Sequence, residues 1–466
     1  MVLAEYKNLD PRKGTRSHHS TSFSARYLSE PVPKYEMPDS SMPADVAYQI
    51  CHDEMNMDGN PTLNLASFVT TWMEPQAKQL IDESLNKNLI DRDEYPQTQR
   101  IEHRCVNMLA RLFNAPADSN PTGTSTIGSS EAIMLCGLSH KWRWREKRKA
   151  EGKPYDKPNM VIGTNTQVVW HKFGRYFDVE EKAIPMEPGH YGLDPQKVME
   201  AIDENTILVA PILGQTFTGE LDPIKEIDDL LLEHKKKTGQ DIPIHVDAAS
   251  GGFVIPFTRP ELEWDFRLEQ VKSINVSGHK FGLVYPGLGW AIWRDGQDLP
   301  EDLVFNINYL GGNMGTFTLN FSQSASHVVA QYYNFLRLGK EGYSDIMNNA
   351  MKNARYLSDK LKETGKFEMI SKDDTIPIVV FRLLDTSIYD VFDLSHVLRT
   401  RGWIVPAYTM PPNAESVEVL RVVVRESFTR DLADILLNDM EEAMKLLTET
   451  DGKKPVVIGE SVNHIC

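Results

Sequence analysis

The sequence predicts an α/β protein in which a large lobe, built on a mixed but mostly parallel sheet, is followed by a small α+β lobe. Three observations carry this. At 466 residues the chain is longer than one hydrophobic core usually grows. From about residue 60 to 345, helical stretches alternate with short β-branched runs, the pattern of a parallel sheet covered on both faces. After Gly342 that alternation stops, and a long helix is followed by short strands and further helices.

Taken in order, residues 1 to about 38 are polar and proline-rich, with Arg12, Lys13, Arg16, His18 and His19 among them, and read as an arm or disordered leader. The first helix is expected after Ser41, with Pro43 in its first turn and Val46, Ile50 and Met55 on one side. A helix so detached suits packing on a partner subunit. Strands are expected at Asn159 to Ile162, Ile207 to Ala210, Ile242 to Val246 and Ser273 to Val276. The small lobe takes a helix from Tyr343 to Leu361, strands at Phe367 to Ile370, Ile376 to Leu383 and Val417 to Val424, and a last helix. The resulting division is an arm and helix (1–60), a large lobe (61–345), a small lobe (346–450) and a tail (451–466).

Composition narrows the function. Acidic residues outnumber basic ones by 66 to 50, the net charge is −16, and no Lys/Arg block could track a phosphate backbone, so nucleic acid is not an expected partner. No apolar run approaches the roughly 20 residues that span a bilayer, and Met1 to Asp45 lacks the apolar stretch of a secretory signal. We therefore expect a cytoplasmic protein without stable membrane insertion. Four cysteines, at 51, 105, 136 and 466, have neither zinc spacing nor the density of a disulfide scaffold, and no metal is expected.

Two strand ends carry the chemistry. Ile244-His245-Val246-Asp247 ends in an acid, and Ser273-Ile274-Asn275-Val276-Ser277-Gly278-His279-Lys280 ends in an amine. Pyridoxal phosphate needs an amine to hold its aldehyde and an acid to keep its pyridine nitrogen protonated. Lys280 and Asp247 are those two groups, just beyond strands whose carboxyl ends are the ligand-binding side of such sheets. Either half alone is weak: a lysine leaving a strand is often solvated, and an aspartate after a strand often caps a helix.

A cofactor phosphate seeks backbone N–H groups at a helix N-terminus flanked by small side chains. Gly123-Thr124-Ser125-Thr126-Ile127-Gly128-Ser129-Ser130-Glu131-Ala132 fits, although an ordinary Ser-capped helix would look the same. His279 could help hold the phosphate, and Gln167 and Thr216 sit in loops after strands, within reach of a ring bound there. In Val417 to Arg425 the strand period puts Val419, Arg421, Val423 and Arg425 on one face. A guanidinium among valines needs either solvent or a carboxylate.

With these residues assembled, the chain resembles the bacterial glutamate decarboxylases, members of the type I, aspartate aminotransferase-like pyridoxal phosphate enzymes, from about Asp45 to Glu449. The segments that carry the likeness include Asn64 to Phe68, Asn86 to Asn88 with Asp91 and Glu94 to Pro96, Arg104 to Met108, Thr126 to Glu131, Asp247 to Gly252, Ser277 to Gly282 and Gly402 to Ala407. The resemblance implies that Lys280 forms the Schiff base, Asp247 pairs with the pyridine nitrogen and Gln167 lies against the ring. It gives the phosphate to Ser129, Ser130, Ser277 and His279, with Ser322 reaching in from a neighbouring subunit, and places Thr216 by the ring hydroxyl. Substrate contacts would come from Ser67, Phe68, Asn88 and Asp91 at the distal carboxyl and from Arg421 at the α-carboxylate. Ser67 stands where the family usually has threonine.

The implied activity is conversion of L-glutamate to 4-aminobutyrate and carbon dioxide, consuming a proton, with a role in acid resistance. The resemblance further implies dimers at minimum, often hexamers, and a C-terminal histidine, here His464, that closes the site at neutral pH. Three other readings compete. A decarboxylase of another amino acid would lack the Asn88 and Asp91 pair, a cofactor-free lysine aldolase would leave Asp247 and the two serines idle, and a non-catalytic scaffold would be indifferent to Lys280.

Overall fold

The computed structural model describes residues 34–309 and 314–452; most of the leader, the tail histidine His464 and Cys466 lie outside them. The chain divides into two compact units, Met1–Leu63 and Asn64–Cys466. In the first, a helix runs from Ala44 to Met55. Pro43 sits immediately before it rather than in its first turn, and its carbonyl accepts from the amides of Val46 and Ala47 at 3.1 Å each. Val46 is buried, whereas Met55 at the other end of the expected apolar side is 61% exposed.

The second unit is organised by a seven-stranded sheet made of β1 (Thr122–Thr126), β2 (Asn159–Gly163), β3 (Glu180–Ile184), β4 (Thr206–Val209), β5 (Ile244–Asp247), β6 (Val271–Val276) and β7 (Gly289–Trp293). Their order across the sheet is β1-β7-β6-β5-β4-β2-β3. Neighbours from β6 to β3 pair in parallel, and β7 runs antiparallel to both β6 and β1, so the sheet is mixed and mostly parallel. β2, β4 and β5 are buried along their whole length, which explains why Met160-Val161-Ile162 and Ile207-Leu208-Val209 read as continuous apolar runs rather than alternating ones. Helix Ser129–Ala150 packs against β7, β6 and β4, while Pro96–Leu112 packs against β1 and β7.

Beyond a short antiparallel pair, β8 (Phe305–Ile307) with β9 (Met314–Thr316), a helical stretch spans Ser326–Glu363 as two helices that meet at a kink. Gly339 interrupts it with φ 58°, a left-handed conformation that glycine adopts without the cost of a Cβ. The second of the two helices thus follows Gly339, close to the Tyr343 start expected from the sequence, and ends at Glu363. A four-stranded antiparallel sheet follows, β10 (Phe367–Met369), β11 (Ile378–Leu383), β12 (Ala407–Thr409) and β13 (Glu418–Val423), in the order β10-β11-β13-β12. The last helix, Arg430–Glu449, starts at Thr429, whose hydroxyl accepts from the amide of Leu432 at 3.1 Å.

Candidate active site

The carboxyl ends of β1, β2, β4, β5 and β6 open into one cavity of about 410 Å³. Ser129, Ser130, Gln167, Thr216, Asp247, Ser277, His279 and Lys280 all line it, so eight of the expected residues, far apart in sequence, meet in one place. Ser250, on the loop after β5, accepts a hydrogen bond from Lys280 Nζ at 3.1 Å. The lysine's backbone is pinned independently: Thr70 Oγ1 donates to its carbonyl at 2.7 Å, and its own amide donates to Ser277 O at 3.3 Å. Desolvation lowers the pKa of the Lys280 amine, with Asp247 opposing and Arg421 adding to the shift. A lowered pKa raises the share of neutral amine, the nucleophilic form.

Asp247 is 3% exposed and ringed by donors. Its Oδ1 accepts from Asn275 Nδ2 at 3.1 Å and from the amide of Ala249 at 3.2 Å, and its Oδ2 from Trp170 Nε1 at 3.2 Å.

At the other end of the cavity the helix Ser129–Ala150 begins after Gly128, and no side chain caps its first amides. The Ser129 and Ser277 hydroxyls lie 2.7 Å apart beside those amides. This end of the helix sits directly on the sheet because β7 begins with Gly289, where a Cβ would come within 2.4 Å of the Gly128 carbonyl carbon. His279 accepts at Nδ1 from the amides of Leu288 at 3.2 Å and Gly287 at 3.4 Å, so its proton is on Nε2. Burial first, then the neighbouring Lys280 and His327, bring its pKa down to about 4. Uncapped amides, two hydroxyls and a neutral imidazole form a cradle for a phosphate, and with Lys280 and Asp247 the residues present fit pyridoxal phosphate.

Arg421 is buried at 8% exposure, which rules out solvent as the answer to its charge. Its two terminal nitrogens donate to Thr216 O at 2.8 Å and Ala66 O at 2.7 Å, and its Nε has no partner among the described residues. Of the five N–H groups of a guanidinium, donors therefore remain for an anion. The Phe68 ring meets both cations, its centroid 5.3 Å from Lys280 Nζ and 5.1 Å from the Arg421 guanidinium carbon. Ser67 Oγ accepts from the amide of Val69 at 3.1 Å, and Arg425 holds the same segment by donating to Val69 O and Asn64 O.

Three expected residues are elsewhere. Asn88, Asp91 and Ser322 neither line the cavity nor touch Lys280, whereas Ser67, Phe68 and Arg421, which do not line it either, stay beside it through the contact of Phe68 with Lys280 and Arg421. Asn88 Nδ2 reaches Ser322 Oγ at 3.4 Å, its Oδ1 accepts from the amide of Gln323 at 3.2 Å, and Asp91 closes the same turn by donating its amide to Asn88 O. Sequence reasoning also missed Trp170, Ser250, Asn275 and Tyr408. The first three touch Asp247 or Lys280, and the Tyr408 ring lies 5.7 Å from the Arg421 guanidinium carbon. The strand period could have found Asn275, which pairs across the sheet with Asp247.

The histidines give a pH prediction for stability. Burial is the main cause bringing His245 as well as His279 down to about 4. An imidazole that titrates near 6.5 when unfolded and near 4 when folded binds more protons in the unfolded chain, so the folded state loses stability as pH falls through that window. Each such group costs about 1.4 kcal/mol per pH unit there. The thermal midpoint of the cofactor-free protein should fall between pH 6.5 and 4, less steeply in His245→Phe; equal slopes would contradict the assignment.

The pyridoxal-dependent decarboxylase conserved domain matches residues 33–384 of this chain. Glutamate decarboxylase of Solanum lycopersicum is 56% identical over 446 residues, covering 95% of this chain and 88% of that one. The bacterial glutamate decarboxylase of Aliivibrio fischeri is 51% identical over 431 residues, 92% of each chain. Among solved structures, Lactobacillus brevis glutamate decarboxylase superposes with a TM-score of 0.89 at 43% identity, covering 93% of this chain and 99% of that one. With the family match spanning most of its length and relatives above half identity along nearly all of it, the chain belongs to the pyridoxal-dependent decarboxylases and, within them, to the glutamate decarboxylases.

Proposed function

We propose that the chain uses pyridoxal phosphate to decarboxylate L-glutamate, giving 4-aminobutyrate and carbon dioxide. The observation that carries this reading is the convergence of Lys280, Asp247 and the Ser129/Ser277 cradle on one cavity, with the partly unpartnered guanidinium of Arg421 beside Lys280. The cofactor, when bound, supplies an electron sink for the pair of electrons left when the α-carboxylate departs. Lys280 Nζ would hold its aldehyde, Asp247 would keep its ring nitrogen protonated, Gln167 and Thr216 would flank the ring, and Ser129, Ser130, Ser277 and His279 would take the phosphate. Arg421 binds and orients the α-carboxylate, and Phe68 closes that side against water.

Arg421→Met should therefore raise KM for glutamate and lower kcat/KM by about 10²-fold, the cost of a charge-assisted pair in a desolvated site. Steady-state kinetics at saturating cofactor checks this; an unchanged KM would remove Arg421 from the substrate site.

For the distal carboxyl, Ser67 and Phe68 stand close to Arg421 in the same subunit, whereas Asn88, Asp91 and Ser322 are offered to the site of a second copy. Exposed apolar side chains, Ile127 of the cavity lining and the Tyr309–Phe321 pair, support contact with a second subunit. Ile127 is 52% exposed, and Tyr309 at 69% stacks on Phe321 at 40% with ring centroids 6.5 Å apart. The assembly is thus a homodimer at minimum, compatible with a hexamer. Each turnover takes up one proton, which suits a cytoplasmic role in acid resistance.

A carboxylate of Asp91 facing the substrate's distal carboxyl would require one of the two to carry a proton. Activity should then rise toward acidic pH and fall toward neutrality, and Asp91→Asn should flatten the profile; a wild-type rate equal at pH 4.5 and 7 would count against it. A panel of glutamate, aspartate and tryptophan tests the substrate assignment, with carbon dioxide expected from glutamate.

A further inference from the structure

Behind Asp247, on the side away from the cavity, lies a row of polar groups that the reaction does not touch. Asn275 Nδ2 donates to Asp247 Oδ1 at 3.1 Å, and Asn275 Oδ1 is 2.9 Å from His245 Nε2. His245 Nδ1 is 2.7 Å from Ser273 Oγ, which is also 2.7 Å from His140 Nε2. All are sealed from water: His245, Ser273 and Asn275 are 0% exposed and His140 is 1% exposed.

These distances fix where each proton sits. An amide oxygen turned toward the Asp247 carboxylate would bury two acceptors against each other, so Asn275 must present its NH₂ there. Its oxygen then faces His245 and can only accept, which puts the His245 proton on Nε2. Nδ1 is left as an acceptor for the Ser273 hydroxyl, and Ser273 Oγ in turn accepts from Nε2–H of His140. Burial disfavours the doubly protonated ring of either histidine, so neither breaks this direction by donating at both nitrogens. His140 Nδ1, the end of the row, has no partner among the described residues.

We propose that His140, Ser273, His245 and Asn275 form a one-directional hydrogen-bond chain, every link donating toward Asp247, that orients its carboxylate for the cofactor's ring nitrogen. Asn275 is the only member that touches Asp247. Ser273, His245 and His140 are positioning residues that act through it, each polarising the next. The Trp170 indole secures the arrangement from the side, donating to Asp247 Oδ2 while its rings meet His245 edge to face at 5.5 Å.

The inference rests on the pyridoxal phosphate reading, and its test separates the two. Pyridoxal phosphate is titrated into cofactor-free wild type, His245→Phe, His245→Gln and Ser273→Ala, following the visible absorption of the bound cofactor. Thermal midpoints of the cofactor-free proteins and kcat and KM for glutamate are measured alongside. His245→Phe should weaken cofactor binding and lower kcat by about tenfold each, with KM changed by less than about twofold. Ser273→Ala should lose about threefold, and His245→Gln, whose carboxamide N–H still reaches Asn275, should recover most of the loss. Equal cofactor affinity in wild type and His245→Phe, or a deficit that Gln does not relieve, would overturn the chain. Failure of wild type itself to bind the cofactor would overturn the functional reading instead.

Discussion

Replacing Lys280 with alanine should abolish carbon dioxide release, lowering turnover by on the order of 10³-fold or more. The expected size follows from what the amine does alone. Ser250 is its only direct hydrogen-bonding side chain among the described residues, and the residues that line the cavity include no second lysine that could substitute. The loss should not come from unfolding. The segment is held by the backbone of residue 280, through Thr70 Oγ1 to its carbonyl and its amide to Ser277 O, and alanine keeps both contacts. The variant should therefore melt near the wild-type temperature while losing turnover and the covalent visible band; retained turnover in a well-folded variant would contradict the role given to the lysine.

Asp247→Asn should lower kcat by about 10²- to 10³-fold, the range typical for removing one preorganised electrostatic group. The substitution keeps the shape but removes the charge that makes a protonated ring nitrogen stable, and it places an NH₂ group where donors already converge. Asn275 Nδ2, Trp170 Nε1 and the Ala249 amide all point at this side chain. At least one would be left facing another donor, so cofactor affinity should drop together with kcat. Reconstitution followed by absorbance and single-turnover decarboxylation reads the two effects separately. A variant with wild-type kcat would mean that the ring nitrogen is served by another group.

How much of this could be read in the sequence depends on which signals are local. β2 and β4 announce themselves because strands buried on both faces are runs of apolar side chains, and β5 and β6 as short β-branched runs interrupted by His245, Lys272, Ser273 and Asn275. β1 and β3 do not. Thr122-Gly-Thr-Ser-Thr has no apolar residue, and its edge position against β7 is set by pairing with a strand more than 160 residues away; Glu180-Glu-Lys-Ala-Ile is an edge strand with largely exposed side chains. Lys280 and Asp247 were legible because each follows such a run, and Ser129 because a glycine and small residues precede a helix. Arg421 was half legible: strand period put it among valines, but only the fold shows that the 64–69 segment and Thr216 cover it and make solvent unavailable. Asn88, Asp91 and Ser322 entered through the family resemblance alone, since a turn that joins them to each other and not to their own cavity leaves no trace in spacing.

The most direct measurement of the central claim follows L-glutamate labelled with ¹³C at the α-carboxyl, incubated in heavy water at acidic pH with the cofactor-loaded protein, by NMR. The predicted result is loss of all label as ¹³CO₂ and formation of 4-aminobutyrate bearing one deuterium at the former α-carbon, in wild type and not in Lys280→Ala. Label retained in unchanged glutamate, or exchange of the α-hydrogen without release of ¹³CO₂, would contradict it.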